Sequence, residues 1–130
     1  MTTRSSLLAA TAALMMITSH GAGQSSPAFR ELQRHAIPGT ELDGVTTYVE
    51  IPPGGVSARH SHPGIDFGYL IEGTIVLMVD GKEPVTLKAG DVFLTERGRV
   101  HNAKNIGTTT ARAVDTYVID KGQPGIIPAR

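Results

Sequence analysis

The sequence predicts an all-β fold, a barrel or sandwich of short antiparallel strands. Short β-prone segments recur along most of the chain, Gly- and Pro-containing turns separate them, and no segment shows sustained helical periodicity. In chain order the predicted strands are Glu31 to Ile37, Thr46 to Ile51, Val56 to His62, Phe67 to Ile71, Thr74 to Val79, Pro84 to Leu87, Val92 to Thr95, Val100 to Lys104 and Ala111 to Asp120. Between them lie Pro38-Gly39, Pro52-Pro53-Gly54-Gly55, Asp80-Gly81, Ala89-Gly90-Asp91, Arg97-Gly98 and Ile106-Gly107. Asp-Gly is a strong two-residue hairpin signal, because its backbone tolerates the positive φ that such turns need.

The first stretch reads as an address. Arg4 stands in a short polar start, an apolar run follows from Leu7 to Ile17, and Ser19-His20-Gly21-Ala22-Gly23 supplies small residues for cleavage. That run is well short of the ~20 apolar residues a helix needs to cross a bilayer. The expected organisation is a signal peptide over 1–23, a flexible leader over 24–28, one barrel domain over 29–122 and a C-terminal tail over 123–130. With no Arg-Arg pair ahead of the apolar run, export unfolded by the general route is expected, to the periplasm or the medium, with no membrane attachment once the signal is removed.

Composition narrows the chemistry. The 130 residues leave room for one domain, and twelve basic residues balance twelve acidic ones, so no global field suits nucleic acid or an anionic membrane. The absence of cysteine removes disulfides, thiolate catalysis and thiolate metal sites, and any metal must sit on nitrogen and oxygen.

His60 and His62 are two apart in a predicted strand, so their side chains point to one face, about 6 to 7 Å apart at the backbone. From Gly54 the chain runs five residues to His60-Ser61-His62, three more to Asp66 and six more to Gly73. From Gly90 it runs five residues to Glu96-Arg97-Gly98, two more to His101 and three more to Asn105. The two stretches resemble the first and second motifs of the cupin superfamily, over roughly Thr46 to Asp120. The resemblance implies a double-stranded β-helix, a jelly-roll barrel, of the small single-domain kind. It implies one divalent transition metal (Zn, Cu, Fe, Mn, Ni or Co) held by His60, His62, Asp66 and His101. Availability outside the cytoplasm favours zinc or copper.

Two positions depart from the pattern. Glu96 stands where the second motif usually has proline. Asp66 stands where the first motif usually has glutamate, and one methylene less shortens the carboxylate's reach by about 1.3 Å, against metal–oxygen distances that hold to roughly 0.2 Å. Asp66 therefore binds directly after a backbone shift, through water, or not at all, leaving three histidines. The bland alternative is a metal-free barrel in which the histidines are hydrogen-bonded filling.

His20 belongs to the signal and His35 is expected on the surface. Asn105 is expected to satisfy backbone groups at a strand end, while Glu72 and Glu96 are expected to be exposed. Leu70, Val76, Met78, Val92 and Leu94 are expected to line the interior. Tyr69 and Tyr117 are read as packing, and Asp115 as solvated on the outer face. The leading functional expectation is a metal-dependent enzyme for a small organic ligand or substrate, dioxygenase-like or Lewis-acid in type. The alternatives are a non-catalytic metal- or ligand-binding cupin and an interaction module. Similar small cupins pair through their sheets, which implies a homodimer, with Phe29 to Ile37 as a candidate segment for exchange. A second acid–base group on the inner wall would discriminate enzyme from binder.

Overall fold

A computed structural model describes residues 25–130, so the expected signal over 1–23 lies outside the described residues. These residues form ten strands: β1 (Ala28–Ala36), β2 (Leu42–Ile51), β3 (His60–Ser61), β4 (Gly64–Glu72), β5 (Thr74–Val79), β6 (Val85–Lys88), β7 (Val92–Thr95), β8 (His101–Asn105), β9 (Ala111–Asp120) and β10 (Ile127–Pro128). They assemble into two antiparallel five-stranded sheets, ordered β1-β2-β9-β4-β7 and β10-β3-β8-β5-β6. Consecutive strands repeatedly change sheet, as in a jelly roll. The expected strands at Thr74–Val79, Val92–Thr95 and Ala111–Asp120 are matched residue for residue.

The long strands β2 and β9 alternate strictly between buried and half-buried positions, so each gives one whole face to the interior. That face is not uniformly apolar. One end holds a cluster including Val49, Ile51, Leu70, Ile75, Leu77 and Leu87; the other holds Val45, Tyr117 and Ile119. Burying each large aliphatic side chain contributes about 1.5–3 kcal/mol. Between the clusters runs a buried polar belt of Thr47, His60, His62, Asp66, Thr95, His101 and Asp115.

Two glycines on the inner face of β4 set how closely the strands pack. A Cβ on Gly64 would lie 2.0 Å from the Val118 carbonyl oxygen, and one on Gly68 would fall 1.9 Å from the Phe93 ring, which covers the space a side chain would fill. Residues 123–130, expected as a tail, contain β10, which pairs with β3 through Ile127 opposite Ser61 and Pro128 opposite His60.

Candidate metal centre

His60 stands directly opposite His101 in the pairing of β3 with β8. Most of the segment expected as a strand from Val56 to His62 is irregular, yet it follows β8 through a bridge between Val56 and Lys104 and a bond from Ser57 N to Ala103 O at 2.9 Å. The two motifs are tied at their other ends by a bond from Gly98 N to the His62 carbonyl at 3.0 Å. Asn105 is fully buried and, as expected, serves the backbone: its Nδ2 donates to Ile51 O and Thr109 O, and its Oδ1 accepts from Gly107 N, each at 2.8 Å.

The three rings gather with centroids 4.4 to 5.1 Å apart, and their potential ligand atoms all lie within 4.8 Å of one another. Each Nδ1 is within hydrogen-bond distance of a carbonyl oxygen: Ala58 for His60 at 2.7 Å, Gly125 for His62 at 2.6 Å and Arg99 for His101 at 2.9 Å. A carbonyl only accepts, so each Nδ1 carries the proton and each Nε2 presents a lone pair. The Nε2 atoms of His62 and His101 are 3.3 Å apart, an uncomfortable separation for two lone pairs. It is also close to the edge of about 3.3 Å expected for two nitrogens about 2.05 Å from one tetrahedral metal. Burial holds all three rings below the ordinary histidine range, His62 at about 4, so they stay neutral and ready to ligate. The donor set fits a divalent transition metal.

Asp66 lies beside this group. Its Oδ2 is 3.6 Å from His62 Nε2 and accepts a bond from Thr95 Oγ1 at 3.1 Å, while Oδ1 is buried without a partner. Burial pushes the carboxyl up to about 7, against the pull of the Thr95 hydroxyl. On β9, Asp115 stands opposite Thr47 of β2 and Gly68 of β4. It is 7% exposed, so it belongs to the inner wall and not, as expected, to the outer face. Strand alternation puts Asp115 in phase with Ala113 and Tyr117, and the sequence alone did not reveal which phase faced inward. Burial, then the nearby Asp66, raises its carboxyl well above the usual range. Tyr117 is also more than packing: its ring stacks on His62 at 4.3 Å, and its buried hydroxyl has no partner. Asp66, Asp115, His60 and His101 line one inter-sheet cavity of about 40 Å³, whose other walls are largely apolar.

The structure brings His60, His62 and His101 together as the resemblance implied, with Asp66 adjacent. Glu96 and Glu72 are exposed, as is His35. Of the residues expected inside, Leu70 is buried, but Val92 is 72% and Leu94 45% exposed, and Val76 and Met78 are half-buried. Ile75, Leu77 and Phe93 take the inner positions in their place. Both phases of β5 and β7 are apolar, so alternation could not fix their orientation. Gly125 is the supporting residue that sequence reasoning missed; its carbonyl comes from a Gly/Pro-rich stretch that carries no local signal of such a role.

A cupin-domain family model matches residues 47–117. The tetracenomycin polyketide synthase protein TcmJ of Streptomyces glaucescens is 38% identical over 72 residues, 55% of this chain and 48% of that protein. A double-stranded β-helix protein from Klebsiella pneumoniae superposes with a TM-score of 0.65 at 27% identity, covering 81% of this chain and 85% of that one. An oxalate oxidase in complex with the substrate analogue glycolate superposes with a TM-score of 0.65 at 26% identity, covering 79% of this chain and 55% of that one. The chain spans about half the length of the curated relatives it matches.

Proposed function

Because the chain belongs to the cupin-domain family, we propose that it is a metal-dependent enzyme acting on a small organic molecule outside the cytoplasm. The observation that carries this reading is the convergence of three neutral histidines beside a cavity that also holds two buried carboxyls. His60, His62 and His101 hold one divalent transition metal through Nε2, and Asp66 completes the set through Oδ2, steadied by Thr95. Bound there, the ion supplies Lewis-acid polarisation or oxygen activation. Tyr117 fixes the plane of the His62 ring by stacking, and the apolar walls exclude bulk water. Asp115, on the inner wall, is the second acid–base group that a merely binding cupin does not need. The similarity to an oxalate oxidase solved with glycolate supports a small oxygen-rich substrate.

Elemental analysis of natively exported protein, beside His60→Ala and His101→Ala, tests the centre. About one metal per chain is expected in the wild type and none in either variant; metal retained by both variants would refute the assignment. Fully loaded protein that turns over no small oxygenated molecule would favour the non-catalytic alternative. Export is part of the proposal, and mature protein that starts at Met1 and stays in the cytoplasmic fraction would remove it.

A further inference from the structure

Among the described residues, three buried side-chain polar atoms have no hydrogen-bond partner: Asp66 Oδ1, Asp115 Oδ1 and the Tyr117 hydroxyl. They belong to one region, since Asp66 is paired in register with Tyr117, and Asp115 with Gly68 two residues further along β4. Leaving such groups unpaired costs about 1–3 kcal/mol each, so three at one site point to recognition of a polar occupant.

Asp66 and Tyr117 are both engaged with the histidines, Asp66 at 3.6 Å from His62 and Tyr117 by stacking on its ring. Asp115, 7% exposed, lines the same cavity as Asp66. Among the described residues no basic side chain forms an ion pair with it. Arg112 borders the cavity, but its guanidinium is held by Glu50 at 3.2 Å and Glu72 at 2.6 Å, both exposed. Tyr117 is the neighbouring hydroxyl that bears on the Asp115 carboxyl, yet Oδ1 is left without a partner, and a ligand in the cavity is the group that can supply one. A hydroxyl suits it whether or not the carboxyl carries a proton, because a hydroxyl both donates and accepts. The cavity of about 40 Å³ limits that ligand to a few heavy atoms.

We propose that Asp115 is the specificity-determining residue of this cavity, hydrogen-bonding the hydroxyl of a small hydroxylated molecule whose other, oxygen-bearing end is held at the histidine centre. This assignment rests on the metal-centre reading above. It selects small hydroxy acids and related hydroxylated oxyanions over molecules that carry a methyl at the same place.

Glycolate and propionate test it, since they have equal numbers of heavy atoms and differ by a hydroxyl in place of a methyl. Their affinities are measured by calorimetry on metal-loaded wild type, Asp115→Leu and Asp115→Asn, with metal content determined on the same samples. The wild type is expected to prefer glycolate by about tenfold or more, the equivalent of one hydrogen bond. Asp115→Leu should lose that preference with metal content unchanged, and Asp115→Asn, which still accepts and donates, should retain most of it. Asp115→Ala serves as a second removal if the leucine variant does not fold. Equal affinity of the wild type for the two acids, or an undiminished preference in the leucine and alanine variants, would overturn the role of Asp115 alone. A wild type that takes up no metal would overturn the centre and this assignment together.

Discussion

At the scale of single residues, burial disfavours the charged form of every titratable group in the site. Burial lowers the three histidines and raises Asp66 and Asp115, so the two kinds of residue respond to pH in opposite senses. The folded pKa of His62 lies below its unfolded value, so its contribution to metal-free stability is present above about 6.5 and lost as the pH falls through about 4. The folded pKa of Asp66 lies above its unfolded value, so its contribution is present below about 4 and lost as the pH rises through about 7. Metal-free Asp66→Asn should therefore gain stability relative to the wild type between pH 5 and pH 8, as measured by urea unfolding at the two pH values. A difference that does not change with pH would contradict a buried, neutral Asp66.

Individual elements decide whether those groups meet. Opposition of His60 and His101 comes from the β3–β8 register, and the orientation of His62 comes from the Gly125 carbonyl just before β10. A hydrogen bond to the distal nitrogen of a metal-binding histidine typically accounts for 10–100-fold in affinity. Truncation after Gly122 should accordingly weaken metal binding by about that factor while leaving the main barrel folded, read by competition with a chromophoric chelator and by circular dichroism. Unchanged affinity would show that the Gly125 contact contributes nothing. The inner face of β4 offers a contrast in packing. A methyl at Gly64 meets backbone at Val118, whereas one at Gly68 meets the Phe93 ring. Gly64→Ala and Gly68→Ala should each destabilise by about 1–3 kcal/mol or more. Adding Phe93→Leu should relieve the second but not the first in thermal melts.

The whole molecule has an outer surface as telling as its interior. Phe67, Tyr69, Ile71, Val92 and Leu94 are each 45–72% exposed on neighbouring strands β4 and β7, with β7 at the edge of its sheet. A contiguous apolar face beside a free strand edge invites pairing. This supports the homodimer that we propose for the protein, formed through this face, while β1 pairs with β2 of its own chain. Val92→Lys with Leu94→Glu should then give a monomer in light scattering with metal content intact. A wild type that is already monomeric would remove the dimer.

The sequence alone carried the all-β class and most strand positions, because turn residues and strand length are local quantities, while the three histidines were singled out through the resemblance of two motifs to those of the cupins. It also flagged Asp66 as the doubtful ligand, since reach is a property of the side chain itself. Only the tertiary structure decided which face of β5, β7 and β9 turns inward, moving Asp115 to the inner wall and Val92 and Leu94 to the outer. A strand's two faces differ by one residue of register, and where both phases are apolar, or a lone acid sits among apolar neighbours, packing of one sheet on the other makes the choice. The bond between Gly125 and His62 likewise joins residues 63 apart in sequence, a contact that no local pattern specifies.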